Sequence, residues 1–186
     1  MAFDTILLCL GGLVIAAVLF FVFAYNNLIN LRNRIDNAWS QIDVQLKLRY
    51  DLVPNLVETV KGYAKHEKDL FTDVTKARAA TAKAETIADK AKADNMLSNT
   101  LKSILAVAEN YPQLRANENF KMLQEELSGI ENKIAYARQF YNDSVLSYNT
   151  SIQTIPTNMV AGMFGFTPRD FFKTEGQERE NVKVKF

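Results

Sequence analysis

Hydrophobic residues are concentrated near the start of the chain. Residues 6–24 read ILLCLGGLVIAAVLFFVFA and contain no charged side chain. This run of about 19 residues approaches the roughly 20 that a helix needs to cross a bilayer. A cleavable signal peptide is the alternative, but residues 1–4 lack the basic side chain that such a peptide carries. The pattern therefore predicts a short tail over residues 1–4 and a retained transmembrane helix over residues 5–25.

The flanks of this segment predict its orientation. Arg32 and Arg34 follow it, whereas the residues before it offer only the α-amino group, balanced by Asp4. Because Lys and Arg resist translocation, we expect the short N-terminus outside and the body in the cytoplasm. Inside the segment, Gly12 and Ala16 have the small-xxx-small spacing that lets two membrane helices approach closely. They are the candidate residues for association within the membrane.

Beyond the span, apolar positions recur at helical spacing. Steps of three and four residues join most of the following positions: Ile35, Trp39, Ile42, Leu46, Val53, Leu56, Val60, Tyr63. The single gap in this series, between Leu46 and Val53, is filled by Arg49, which places a guanidinium on the apolar face. Pro54 removes one internal hydrogen bond, so we expect a kink or local break near Arg49 and Tyr50. Trp39, Arg49, Tyr50, Pro54 and Asn55 are therefore predicted to shape this helix.

Three more helical segments are predicted. An Ala/Lys-rich stretch, residues 77–93, extends the first region, and a helix over residues 94–109 follows. The clearest periodicity predicts a helix of about 39 residues over 117–155, with Asn117 as its N-cap. At 1.5 Å per residue it would be about 58 Å long, and it needs other long helices alongside. The predicted fold class is all-α, with the transmembrane helix continuing into an elongated antiparallel bundle over residues 26–172.

An apolar cluster follows Pro156. Its candidate docking residues lie among glycines and are Met159, Met163, Phe164 and Phe166. One interpretation is a short helix and turn that pack back onto the bundle end. The other is a surface that docks onto a partner or onto lipid, since exposed apolar clusters mark interaction sites. Residues 173–186 are predicted to form a polar tail.

Charge and composition limit the partners, cofactors and reactions that we expect for this chain. Twenty-two Lys and Arg balance 21 Asp and Glu, so nothing indicates a nucleic-acid partner. One His and one Cys do not make a soft-metal site, and no phosphate-binding loop occurs, so we expect no cofactor, no metal and no enzyme activity. His66 lies near acidic residues, an arrangement typical of a solvated charged face or of an acid–base pair. For Arg49 the candidate carboxylate partners are Glu125 and Glu126, and the alternative is a guanidinium that reaches solvent at the edge of the bundle.

Four blocks of the sequence resemble the LemA family. They are NAWSQIDVQLKLRYDLVPNLVETVKGYAKHE at 37–67, AENYPQLRANENFKMLQEEL at 108–127, IAYARQFYNDSVLSYN at 134–149 and GMFGF at 162–166. The resemblance implies a bacterial, single-pass protein of the inner membrane with an antiparallel helical body. The family has no established biochemical activity, so the resemblance does not indicate one for this chain. A family member associated with magnetosome membranes suggests a role in membrane organisation, which is an analogy only.

Two functions are compatible with these observations. The first is a non-enzymatic, membrane-anchored scaffold whose copies associate in the lipid bilayer and organise or remodel the membrane. The second is a monomeric adaptor that presents a bundle groove to a membrane enzyme, protease or transporter. The retained span and the long apolar helix faces favour the first.

Overall fold

The structure is a computed structural model that describes residues 2–173, apart from the side chain of Thr5. It contains six helices: α1 (Ala2–Lys61), α2 (Lys68–Lys83), α3 (Ile87–Ala108), α4 (Pro112–Ala116), α5 (Glu118–Gln153) and α6 (Thr157–Met163). No strand occurs within residues 2–173, and the all-α prediction is confirmed. The tail predicted over 173–186 lies outside the described residues, apart from Lys173.

Internal contacts divide the chain into two compact units. Among the described residues, the anchor unit is residues 2–40 with 139–171, and the body unit is residues 41–138 with 172–173. The helices α1 and α5 each contribute residues to both units.

The first helix, α1, runs for 60 residues without interruption. It begins at Ala2, so residues 2–4 are helical, and no break separates the predicted span from the predicted bundle. The local break expected near Arg49 and Tyr50 is wrong, because α1 continues through Pro54. Neighbouring turns of a long, packed helix hold a proline in place at the loss of one hydrogen bond. A kink there stays a prediction.

The Ala/Lys-rich stretch is divided between two helices. α2 ends at Lys83, and α3 begins at Ile87, seven residues before the predicted start at Asp94. Thr86 caps α3 by accepting a hydrogen bond from the Asp89 backbone N–H at 3.0 Å. Thr is a favoured N-cap residue because its hydroxyl satisfies a backbone donor that the helix leaves free. Helix propensity alone predicted a continuous segment and missed this cap.

The long helix α5 agrees closely with its prediction. It spans 36 residues, and the Asn117 side chain caps it by accepting from the Phe120 backbone N–H at 3.0 Å. The predicted apolar face is buried at every position except Leu123, which is partly exposed. Its buried residues are Phe120, Leu127, Ile130, Ile134, Ala137, Tyr141, Val145, Tyr148 and Ile152.

Within the body unit, α1 and α5 run antiparallel. Arg49 is bonded to Glu131, whereas Tyr63, just beyond the end of α1, accepts from Asn117, just before α5. A later position on one helix is thus opposite an earlier position on the other. The antiparallel arrangement expected for the bundle is present in this unit.

The short helix α6 ends in a glycine-dependent turn. Gly165 has a φ of 69°, in the left-handed region that glycine adopts without a steric penalty. The Phe166 N–H donates to the Ala161 carbonyl at 2.9 Å, the 6→1 bond of a Schellman motif. This turn fixes the direction in which Phe166 and the following residues leave α6.

Candidate functional site

The N-terminal part of α1 is long and apolar enough to cross a membrane. Side chains at Leu7, Leu13, Leu19 and Phe23 are more than half exposed, although a water-soluble fold would bury them. Ala24, the last residue of the apolar run, is only 4% exposed. The span is thus free of protein contacts over most of its length and covered by the chain's own residues where it ends.

The two association candidates lie on this bare surface. Gly12 and Ala16 are exposed, and a side chain built onto Gly12 would meet no atom within 4 Å. The approach of a second helix at this position is therefore unobstructed. The structure contains one chain, so association itself stays a prediction.

Sequence reasoning missed a longer feature that begins at this pair. Steps of four and three residues lead along α1 through positions that are all exposed and uncharged: Gly12, Ala16, Leu19, Phe23, Asn26, Asn30, Asn33, Asn37 and Ser40. We call this set the α1 stripe. Alternating steps of four and three are the heptad spacing of a coiled-coil seam. The signal was available in the sequence, but amides were not counted as seam residues.

In the anchor unit, buried tyrosines fasten residues 167–170 to α5. The Tyr141 hydroxyl donates to the Asp170 carbonyl at 2.9 Å, and the Tyr148 hydroxyl donates to the Thr167 carbonyl at 3.0 Å. Asn149 bonds both backbone groups of Arg169, each at 2.9 Å. Burial raises the pKa of both phenols above the ordinary 10.0, so both stay neutral donors.

The four docking candidates divide between packing and exposure. Phe164 and Phe166 contact the Tyr25 ring, with centroids 4.8 and 5.8 Å away. Met159 and Met163 are 62% and 70% exposed, and Phe164 remains 56% exposed despite its ring contact. The predicted fold-back is therefore present, and an exposed apolar surface is present at the same place.

Arg49 is the centre of a buried charged network in the body unit. Its guanidinium pairs with Asp94, which also pairs with Arg138. It further donates to Glu131 Oε1 at 2.7 Å and to Ser98 Oγ at 2.7 Å. Arg49 and Asp94 are each only 1% exposed, so each charge depends on its partner. We name Arg49, Asp94, Arg138 and Glu131 the charged network.

The predicted partners of Arg49 were wrong. Glu125 and Glu126 lie on α5, but the acceptor on that helix is Glu131, and the buried carboxylate comes from α3. The alternative of a guanidinium at the solvent edge is also wrong, because Arg49 is fully enclosed. The spacing of the sequence identified the seam position but carried no information on which helix would supply the carboxylate.

The other residues predicted to shape α1 have separate surroundings. In the anchor unit, Trp39 meets the Tyr141 ring edge-on, with centroids 5.7 Å apart. In the body unit, the Arg78 guanidinium lies 4.1 Å from the Tyr50 ring centroid, and Asn55 is exposed. Pro54 lies between Tyr50 and Asn55 in the unbroken helix α1. Trp39 thus belongs to the anchor unit, whereas Tyr50, Pro54 and Asn55 belong to the body unit.

An open groove lies between α1 and α5 in the body unit, with a volume of about 480 Å³. Leu48, Leu52, Leu123 and Ile130 provide its apolar lining. Gly129 opens it further, because a side chain added there would meet no atom within 4 Å. The groove can receive an apolar side chain or a short helical segment.

His66 is exposed, as expected for a solvated charged face. Within residues 2–173, no three His, Cys, Asp or Glu side chains come together in a way that could hold a metal ion. The functional candidates that the structure presents are four surfaces: the bare span, the α1 stripe, the apolar end of α6 and the groove.

Comparison with known proteins identifies a family and several relatives. The sequence model of the LemA family matches residues 38–186. Magnetosome proteins MamQ 1 and MamQ 2 of Paramagnetospirillum magneticum are each 24% identical over 186 aligned positions, which cover 86% of this chain and 68% of each relative. Protein LemA of Metamycoplasma hominis is 27% identical over 169 positions, which cover 87% of this chain and 76% of that protein.

Proposed function

The chain belongs to the LemA family, and on that premise we propose that it is a non-enzymatic scaffold anchored by a single membrane helix. Copies of the chain associate side by side and organise or remodel the bilayer. The membrane is the bacterial inner membrane, with the short N-terminus outside and the body in the cytoplasm. Arg32 and Arg34, which follow the span, support this orientation.

The observation that carries the proposal is the α1 stripe. A second copy related by a twofold axis could place its own stripe against this one, starting at Gly12 and Ala16 and continuing through the four asparagines. Uncharged amides at seam positions hydrogen-bond across a pair of parallel helices and fix their register, at some loss of stability. Weak, registered contacts of this kind suit an assembly that forms only where the anchor concentrates the protein.

Cysteine crosslinking in native membranes tests the proposal. In a Cys9→Ser background, Asn30→Cys and Asn37→Cys each place a thiol on the α1 stripe. Asn132→Cys is the matched control, because Asn132 is an exposed asparagine on α5. A disulfide requires Cα atoms about 4.4–6.8 Å apart, a distance that opposed seam positions reach. We expect disulfide-linked dimers from the two stripe variants and none from the control.

Two results would reject lateral assembly. One is equal crosslinking of the stripe variants and the control, which would indicate random collision. The other is a strictly monomeric mass in mild detergent at every concentration measured. Rings, coats or tubules formed by the purified protein in lipid would support remodelling, and a smooth membrane would leave a scaffold that does not bend the bilayer.

The groove in the body unit favours a second candidate, a monomeric adaptor for a membrane enzyme, protease or transporter. Gly129→Phe offers a direct test, since the added ring would fill the groove without a clash at its Cβ atom. Proximity labelling of the unaltered chain should recover one dominant unlike protein if the chain is an adaptor, and Gly129→Phe should abolish that recovery. Recovery of mostly the chain itself favours the scaffold.

A further inference from the structure

We infer that the apolar end of the anchor unit is a second lipid-binding surface, which enters the interfacial layer of the bilayer beside the point where the span emerges. The surface consists of Met159 and Met163, both in α6, and Phe164, which follows the helix directly. The inference rests on the proposed anchoring, because it needs the span to be in the membrane. Its ligand is the headgroup and upper acyl region of the bilayer that holds the span.

The first support is the distribution of charge. Residues 144–168 contain no Asp, Glu, Lys or Arg, and no other run outside residues 5–31 is as long. The body unit, in contrast, alternates charged side chains along every long helix. A charged side chain costs free energy as it enters the bilayer. The chain thus removes charge from one segment besides the span itself.

The second support is the position of this segment. Tyr25 follows the apolar run directly, and Tyr side chains favour the level where acyl chains meet headgroups. The Phe164 ring centroid lies 4.8 Å from that of Tyr25. Phe164 therefore lies at the depth of Tyr25, which is the interfacial depth if the span crosses the bilayer.

The third support is exposure. Met163 and Met159 expose 70% and 62% of their surface, and Phe164 exposes 56%. Most contacts that hold the segment use other groups, and Phe164 contacts the Tyr25 ring while more than half of its surface stays exposed. Val160 and Ala161 are the buried residues of α6, and the tyrosines of α5 hold residues 167–170. Met163 and Phe164 are the unbranched and aromatic types that insert at bilayer interfaces.

Arg32 completes the arrangement. Its guanidinium carbon lies 5.8 Å from the Phe166 ring centroid, and Arg32 follows Tyr25 by seven residues along α1, farther from the apolar run. A cation at this level can bind lipid phosphate while the apolar side chains enter below it. The order of side chains from span to body, apolar and then cationic, matches the order of layers in a bilayer.

Depth-dependent fluorescence quenching tests the inference on the full-length chain. The chain has a single tryptophan, so Trp39→Phe gives a background without one and keeps a ring against Tyr141. Into it we would place Phe164→Trp as the probe, Val22→Trp as the control in the span because Val22 is exposed and lies off the α1 stripe, and Tyr136→Trp as an exposed aromatic control on α5. The variants are reconstituted in phosphatidylcholine and phosphatidylglycerol vesicles that contain lipids brominated at upper acyl positions.

Phe164→Trp should be quenched clearly, as expected of a side chain in the interfacial layer, and Tyr136→Trp should show almost no quenching. If Val22→Trp is quenched and Phe164→Trp is not, the surface does not enter the bilayer and the inference is overturned while the anchor stands. If Val22→Trp also escapes quenching, the anchoring itself is wrong.

A second variant separates lipid binding from local packing. Met159→Glu with Met163→Glu adds two charges to exposed side chains, so the fold is expected to persist, and circular dichroism checks it. The quenching of Phe164→Trp should then fall to the level of Tyr136→Trp, because charged side chains leave the acyl region. Unchanged quenching in a folded variant would show that the methionines do not enter the bilayer and would overturn the inference.

Discussion

The two units stabilise their interiors in different ways. The body unit encloses the charged network, in which Arg49 and Asp94 are each 1% exposed and Arg138 completes the pairing. The anchor unit uses neutral groups instead, with the phenols of Tyr141 and Tyr148 bonded to backbone carbonyls. Buried ions need close partners, whereas a neutral hydrogen bond tolerates a change of surroundings. Within residues 2–40 and 139–171, no Asp, Glu, Lys or Arg side chain is buried.

Among the substitutions that test this contrast, removal of the Asp94 carboxylate should lower the free energy of unfolding most. Asp94→Ala leaves the buried Arg49 and the partly buried Arg138 without their shared carboxylate, and we expect the free energy of unfolding to fall by about 3–5 kcal/mol. Denaturant unfolding in detergent measures it. Asp51→Ala is the control, since its side chain is 54% exposed and pairs with Lys47, and it should cost less than about 1 kcal/mol. Equal losses would mean that the network is not structural.

Removal of Arg49 should cost less than removal of Asp94. In Arg49→Met the chain length and much of the volume remain, Asp94 keeps Arg138, and the partly exposed Glu131 can turn to water. We expect a loss of about 2 kcal/mol, the value of a hydrogen bond to a charged group. An unchanged or higher stability of Arg49→Met or Arg49→Leu would show that the pairing is not specific.

The tyrosine hydroxyls of the anchor unit should contribute less to the free energy of unfolding than Asp94 or Arg49 does. Tyr148→Phe removes the hydroxyl that donates to the Thr167 carbonyl and keeps the ring, so we expect a loss of about 1 kcal/mol. Tyr136→Phe is the matched control, because Tyr136 is 73% exposed, and it should change nothing measurable. A loss as large as that of Asp94→Ala would remove the contrast between the units.

The pH dependence should show the smallest effect. Burial raises the pKa of Tyr141 and Tyr148, so the folded state holds both phenol protons more tightly than the unfolded state. Their contribution is complete below the unfolded pKa of about 10 and is lost as pH rises through the folded pKa. Above pH 10 the unfolding temperature should fall more steeply for the natural chain than for Tyr141→Phe with Tyr148→Phe. Parallel curves would contradict this.

Much of the fold was accessible from the sequence because periodicity and caps are local signals. The apolar face of α5 and its Asn117 cap follow from spacing and from one side chain. The division at Ala84–Thr86 was missed because Ala and Lys favour helix on both sides of it. The continuity of α1 through Pro54 was missed because the packing that offsets a lost hydrogen bond is tertiary.

The candidate sites were harder to predict from the sequence than the fold. The seam position of Arg49 was predicted, but Asp94 was not identified as its partner because the pairing depends on how α3 packs against α1. The exposure of Met163 and Phe164 could not be read from composition, which fitted a buried cluster equally well. The asparagines of the α1 stripe were overlooked because amides were not counted as seam residues, although their spacing is present in the sequence.

Because α1 is unbroken, it fixes the angle around the helix axis between side chains of the apolar run and side chains farther along. Each residue turns a helix by about 100°, so the angle between Ala16 and Asn30 is set by the number of residues that separate them. One alanine inserted after Asn26 would turn the membrane half of the α1 stripe away from the asparagine half, and one partner could no longer meet both. Seven inserted residues would nearly restore the phase. The length of this helix therefore encodes a direction as well as a distance.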